Sequence, residues 1–418
     1  MTNPPPTNFL WEGELPERMI HSSIKHDLIR QYIRDYIAIL TNVPKRSKLR
    51  LTLFDGFAGG GVFSENGLIV PGTSLILGEE IMRAKAEFGD ARNIEFDIDL
   101  WAVERNKTNY EQLKHTVENS EFYNNFPGRV HLRNCSYEEA LRESIERMLK
   151  VRNTTGRSIF LLDQTGFGQV DFDHVKSIFE QLKSPEVIMT MSVSWLVDIA
   201  GNNPTFLKKV ASLGIDKNEL RELLESKRSQ ASRYGGQKWV RKYITQHIGA
   251  AYNTCFFLKS RPSNKDIWLL HFANNWRARD AMMEVHYKFA NKTHFYGKAG
   301  FEMLGFDVNS NVDQVEMFNF TKTDGENSSI AMLEDIPRSL IDRGGANGIS
   351  LGDLFDRELN DATTTLRQFE LGAVLARGNK VLEILTADGR TRPHAKWLRR
   401  DDVLRIPDQK SLWTNFAR

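Results

Sequence analysis

A chain of 418 residues is longer than one hydrophobic core ordinarily serves, so two folding units are expected. A formal net charge of only +2 excludes binding to nucleic acid by whole-molecule charge, and any basic surface has to be local. The two cysteines, Cys135 and Cys255, have neither the spacing of a metal site nor that of a disulfide framework, which suits buried thiols in a reducing cytoplasm.

Residues 1–20 read as an irregular arm in which Leu10 and Trp11 can pack against the body. The proline-rich start, Met1 to Pro6, lacks the basic head and apolar core of a signal peptide, and no apolar run approaches the roughly twenty residues of a membrane span. From Ser22 a helical pattern (Ile24, Leu28, Ile29, Tyr32, Ile33, Tyr36, Ile37, Leu40) runs until Pro44 stops it.

The most informative stretch follows. Leu51-Thr52-Leu53-Phe54 is an apolar run suited to a strand buried on both faces of a parallel sheet. It ends in Asp55, and Gly56-Phe57-Ala58-Gly59-Gly60-Gly61 comes next. Glycines just beyond a strand let the backbone turn and approach a ligand without a Cβ in the way. A second strand, Asp97 to Val103, again ends in an acid, Glu104, placed to accept hydrogen bonds from two ribose hydroxyls. A third, Val130 to Arg133, drops Asn134, Cys135 and Ser136 at the same edge, small polar groups suited to an adenine. A fourth, Ser158 to Leu162, repeats the shape of the first with Asp163-Gln164-Thr165-Gly166-Phe167-Gly168. The plainer alternative, that Glu104 only opens a helix, stands beside this reading.

A fifth strand is expected over Val187 to Val193, and a charged helical insertion over residues 200–250. Cys255–Leu258 and Ile267–Phe272 read as an antiparallel pair, and a helix covers Ala278–Phe289. Asn274-Asn275-Trp276-Arg277-Ala278-Arg279 follows that pair, where Trp276 is a candidate to stack a base and Arg277 to grip phosphate. The alternative is that Trp276 packs its helix onto the sheet. After a linker (301–329), three helical segments precede Val381–Leu385, an Asp388-Gly389 turn and a further run to Ile406. That order, over residues 330–418, is winged-helix-like. Its ribbon carries Arg390, Arg392, Lys396, Arg399 and Arg400, candidate phosphate contacts weakened by Asp401 and Asp402.

The order of these blocks over residues 21–300 resembles a class I S-adenosylmethionine-dependent methyltransferase, a Rossmann-like α/β sheet. A nicotinamide dehydrogenase would show a tighter G-x-G-x-x-G with its acid about twenty residues on, and a P-loop would show G-x-x-x-x-G-K-[ST]. At a finer level the chain is similar to the three-Cys-motif partner protein (TcmP) family. The matching elements are Lys25-His26, Phe54 to Gly61, Pro71-Gly72-Thr73-Ser74, Val103-Glu104-Arg105-Asn106 and Leu162 to Gly168. The family shows prolines where this chain has Gly60, Ser74 and Gln164.

The resemblance implies S-adenosyl-L-methionine as cofactor, with no metal site. Lys25, His26, Asp55, Gly56, Phe57, Ala58, Gly59, Gly61, Glu104, Asn134 and Ser136 would contact it. Asp163, Gln164 and Phe167 would stand where amino-methyltransferases orient the acceptor nitrogen. DNA or RNA is the expected substrate class, in a bacterial phage-defence or mobile-element setting. Two other readings stay open: a non-catalytic cofactor-binding partner of a three-Cys-motif protein, and a nucleic-acid-binding protein acting through the ribbon alone.

Overall fold

A computed structural model describes residues 11, 13–43, 47–152, 156–164, 169–192, 215, 218–219, 221–222, 233–258, 267–296, 299–301, 317–342, 348–392 and 398–407. The chain divides into two compact units, Met1–Val285 and His286–Arg418, and each is described by itself.

In the first unit a helix, α1 (Ile20–Thr41), presents Leu28, Ile29, Tyr32, Ile33, Tyr36 and Ile37 to the core. Then come β1 (Lys48–Asp55), a hairpin of β2 (Val62–Glu65) and β3 (Leu68–Pro71), and α2 (Thr73–Ala84). Asn66 and Gly67, both at positive φ, make the two-residue turn of that hairpin. Further on lie β4 (Glu95–Val103), α3 (Lys107–Glu118), β5 (Val130–Arg133), α4 (Tyr137–Arg152), β6 (Arg157–Asp163), α5 (Phe172–Gln181) and β7 (Pro185–Ser192). The unit closes with α6 (Arg233–Ile248), β8 (Tyr252–Leu258), β9 (Ile267–Ala273) and the start of α7 (Trp276–Lys288).

Strand order in this unit's sheet is β5-β4-β1-β6-β7-β9-β8. Neighbours from β5 to β7 are parallel, and β9 runs antiparallel between β7 and β8. Numbered along the chain without the hairpin, the order is 3-2-1-4-5-7-6 with strand 7 reversed, the arrangement of the class I methyltransferase sheet. The expectation of a Rossmann-like α/β sheet with a late antiparallel strand therefore holds. β1 explains why its sequence is so apolar: it is central, and Leu51, Leu53 and Phe54 have no solvent exposure.

α1 is tied to α2 through one buried carboxylate. Glu80 accepts from Arg34 Nε and Nη2 at 3.0 and 2.9 Å, from Arg30 Nη1 at 3.1 Å and from Arg83 Nε at 2.9 Å. Two guanidinium groups of α1, Arg30 and Arg34, on this one acid of α2 fix where α1 crosses, and so where Lys25 and His26 point.

The second unit contains β10 (Thr293–Tyr296) paired antiparallel with β11 (Met317–Phe318), then α8 (Lys322–Asp342), β12 (Ile349–Ser350), α9 (Leu351–Glu358), α10 (Leu366–Gly378), β13 (Glu383–Leu385) and β14 (Val403–Arg405). α8 starts within the stretch expected to be a linker. β12, β14 and β13 form a three-stranded antiparallel sheet in that order. Thr365 caps α10 in a reciprocal box with Gln368. Asp388-Gly389 turns as expected, with Gly389 at φ +80°. Among the described residues no helix is long and apolar enough to cross a membrane.

Candidate functional site

The carboxyl ends of β1 and β6 lie side by side where the strand order reverses, the point at which open α/β sheets bind ligands. The loop after β1 is stitched to strands on both sides. Gly56 N–H donates to Leu161 O of β6 at 2.9 Å, and Ala58 N–H donates to Val103 O of β4 at 2.9 Å. A Cβ on Gly56 would meet Leu162 Cδ2 at 3.0 Å, so a side chain there would press on the neighbouring strand. Gly59 and Gly61 have φ of +59° and +82°, which only glycine adopts without strain. Phe57 turns toward α4, its ring 5.3 Å from that of Tyr137.

Asp55 is fully buried and accepts from Ser74 Oγ at 2.6 Å and from Phe57 N–H at 3.3 Å. Burial pushes its carboxyl up to about 6, against the pull of those two donors. Ser74, where the resembled family has proline, is therefore the hydroxyl that steadies this acid. Glu104 accepts from Gly59 N–H at 3.1 Å and from Asn106 N–H at 2.6 Å. It thus joins the glycine loop to the end of β4, and burial raises its pKa in spite of the backbone donors.

Asn134 and Ser136 do structural work at the same edge. Asn134 Nδ2 donates to the carbonyls of Glu104 and Arg105 at 2.9 and 3.1 Å, clamping the turn that aims Glu104. Ser136 precedes α4, where its Oγ accepts from Glu139 N–H at 3.3 Å while Glu139 Oε2 accepts from Ser136 N–H at 3.1 Å.

At the end of β6, Asp163 is ion-paired with Lys25 Nζ of α1 and accepts from Thr190 Oγ1 at 2.5 Å. Burial alone would raise the Asp163 pKa, but the Lys25 ammonium and the Thr190 hydroxyl outweigh it and hold the carboxyl below its ordinary range. His26 is buried within 3.4 Å of Arg18 Nη1 on one ring nitrogen and of Thr73 Oγ1 on the other. Burial and the neighbouring Lys25 charge hold its pKa well below the usual value, so the ring is neutral. Gln164 is spent on its own loop, its Oε1 accepting from the N–H groups of Gln169 and Val170 at 2.9 and 3.1 Å. Phe167 lies outside the described residues, as does Lys396.

The structure thus gathers Lys25, His26, Asp55, the glycine loop, Glu104, Asn134, Asp163 and Gln164 along one sheet edge. Trp276 and Arg277 belong elsewhere. β9 is antiparallel, and its register pairs Ala273 with Glu186 at the start of β7. α7 therefore begins at the opposite edge from Asp55 and Asp163, so Trp276 and Arg277, the candidates to stack a base and grip phosphate, lie away from that site. There Arg277 lies over the Trp276 ring at 5.3 Å, and Trp276 is half-buried.

In the second unit, Arg392 Nε is bound to buried Asp402 at 2.7 Å, and Arg400 Nη2 to both oxygens of Asp356 at 2.7 and 2.8 Å. Arg399 is exposed, and Arg390 is exposed beside Asp388 at 3.1 Å. Cys135 is half-buried, and the buried Cys255 thiol is pushed up to about 12 by desolvation.

The acceptor set fits an adenosyl ligand. Glu104 accepts from the Gly59 and Asn106 backbone N–H groups and, with two lone pairs on each oxygen, keeps acceptor capacity for ribose hydroxyls, beside a loop with no side chains of its own at Gly59 to Gly61. Thr73, Ser74, Thr190 and Trp11 were not singled out as site residues from the sequence. Ser74 carried a signal as a hydroxyl where the resembled family has proline, Thr73 stood beside it in the same matching element, and Trp11 was read only as packing against the body.

No protein-family model matches the chain, and no curated protein matches it. Solved structures do. A human methyltransferase 10 domain containing protein is 14% identical, with 59% of this chain and 82% of that chain covered and a TM-score of 0.28. A putative rRNA-methylase from Clostridium thermocellum is 10% identical, covering 57% and 94%, at 0.27. The plantazolicin methyltransferase BamL, in complex with a desmethylPZN analog and SAH, is 9% identical, covering 61% and 90%, at 0.24. The fold assignment rests on strand order and register.

Proposed function

We propose that the first unit binds S-adenosyl-L-methionine at the carboxyl edge of β1, β4 and β6 and directs its methyl group to a nucleic acid. The observation that carries this is the pairing of the 3-2-1-4-5-7-6 strand order with Asp55 and Glu104 around a bare glycine loop at the point where that order reverses. When bound, the cofactor supplies a methyl group on a sulfonium that is already a good leaving group. The chain's own part is then binding and alignment. Glu104 accepts from the ribose hydroxyls. Asp55, ionised above about pH 6, provides the negative charge for the ligand's ammonium. Asn134 keeps Glu104 aimed, and Ser136 keeps α4 in place. Asp163 orients the acceptor through the lone pairs that Lys25, on Oδ2, and Thr190, on Oδ1, leave open.

A second reading has its own support. Asp163 already accepts from Lys25 and Thr190, and Gln164 from its own loop, so the acceptor-orienting position has partners within the chain. That arrangement favours a cofactor-binding partner without transferase activity, as the resemblance to three-Cys-motif partner proteins implies. The second unit is read as winged-helix-like, from the order α8-β12-α9-α10-β13-β14 with β14 central. Arg390 and Arg399 are its phosphate candidates.

Transfer of radiolabelled methyl to DNA, RNA or protein by the wild-type chain and by Asp163→Ala separates the two. Transfer lost in the variant with cofactor affinity kept supports the enzyme. Cofactor binding without transfer to any of the three supports the partner.

A further inference from the structure

Gly60 has no positive φ, so its backbone would accept any residue. Yet a Cβ built there would lie 2.4 Å from Trp11 Cγ and Cδ1, and one at Gly59 would lie 2.6 Å from Trp11 Cη2. The indole therefore lies directly on the bare backbone of the glycine loop, and it is this ring that requires glycine at 60. Hydrogen bonds and a ring contact hold it there. Trp11 Nε1–H donates to Val62 O at 2.5 Å, its main-chain N–H donates to Asn109 Oδ1 at 3.2 Å, and the ring meets Phe63 edge-on at 5.4 Å.

Behind the indole the arm is fastened to β2. Ser64 N–H donates to Pro16 O at 3.0 Å, Arg18 N–H donates to Ser64 O at 2.7 Å, and Arg18 is ion-paired with Glu65. Between fastening and ring, Gly13 has a φ of +80°, and nothing lies within 4 Å of the place its Cβ would take. The arm thus has a fixed base, a glycine in open space and an aromatic ring on the loop. The same Gly59 whose Cα faces the indole gives its N–H to Glu104, so the covered face and the ribose acceptor belong to one structure.

We infer that Trp11 is a further residue of the cofactor site: a strap whose indole covers Gly59 and Gly60 and lifts, turning at Gly13, as the adenosyl ligand enters. This rests on the cofactor reading above. The ligand and the ring need the same bare backbone, so only the lifted state binds, and apparent affinity is reduced by the fraction of molecules in it.

Stopped-flow association of S-adenosylhomocysteine with the full chain tests this in wild type, Trp11→Ala and Trp11→Phe. Trp11→Ala is expected to associate about tenfold faster and bind about tenfold tighter, as for a lifted state one-tenth populated. Trp11→Phe, which keeps a ring on the loop, falls between. Ligand also changes the indole emission of the wild type, and Trp11→Phe loses that change. Binding by the variants with none by wild type supports a strap that is mostly closed. Equal rates in wild type and both variants, or slower association in Trp11→Ala, overturn the strap and leave the cofactor reading intact. Absence of binding in all three overturns both.

Discussion

Asp55 and Asp163 end adjacent strands, yet their surroundings move their protons in opposite directions. Asp55 has only neutral donors in a buried setting, so its pKa rises to about 6. A raised carboxyl stabilises the fold in its protonated form: that contribution is complete below the ordinary value of 3.8 and is lost as pH rises through about 6. Ionised Asp55 then costs up to about 3 kcal/mol. Asp55→Asn, which still accepts from Ser74, should raise the urea midpoint at pH 8 and leave it nearly unchanged at pH 4. An equal gain at both pH values would contradict this. Asp163 behaves in reverse, stabilising above its ordinary range and losing that contribution as pH falls through its depressed value. Lys25→Met strands its charge. With the Asp163 side chain 29% exposed, the cost at pH 7 falls near the low end for breaking a buried pair, about 3 kcal/mol. In the variant the Thr190 hydroxyl remains but the ammonium that held the carboxyl down is gone, so the cost shrinks as acid supplies the proton. Urea titrations at pH 7 and pH 5 measure the difference. At this scale Asp55 and Glu104 were legible because each ends an apolar run. The clamping by Asn134, the capping by Ser136 and the tying-off of Gln164 were not, since a short polar side chain gives no sign of whether it faces a ligand or its own backbone.

Among the elements, strands were easier to read than their neighbours in space. β1, β4, β6 and β7 stand out as apolar runs because both faces are buried. The hairpin β2–β3 has a plain Asn66-Gly67 signal, but its strands are short and Leu68 and Ile69 are exposed, so no buried alternation draws attention to it. The position of α7 depends on β9 running backward, a fact of pairing that local sequence does not carry, and Trp276 and Arg277 were misplaced for that reason. The ribbon of the second unit is similar: its arginines look alike in sequence, but Arg392 and Arg400 are bound to Asp402 and Asp356. If nucleic acid binds through Arg390 and Arg399, the slope of log affinity on log salt should be about −1.4 to −1.8, two contacts' worth. Fluorescence anisotropy with DNA and RNA oligonucleotides measures it. Arg399→Ala should flatten the slope, whereas Arg392→Ala, by stranding buried Asp402, should lower the second unit's melting temperature. A slope unmoved by Arg399→Ala would contradict a phosphate contact there.

At the scale of the whole molecule, the first unit's fold was largely legible, since the order of strands and the residues at their ends already specify a doubly wound sheet. The division of the chain lies within α7, a continuous helix with no break in composition to mark it. The central claim is that Glu104 and the glycine loop form an adenosyl site, and titration calorimetry of S-adenosyl-L-methionine into the full chain tests it most directly. Wild type should bind with a single site. Glu104→Ala, losing hydrogen bonds from two ribose hydroxyls to a charged acceptor, should bind weaker by about 1.5–3 kcal/mol for each bond lost. No heat with either the wild type or Trp11→Ala, or equal affinity in Glu104→Ala, would contradict the account.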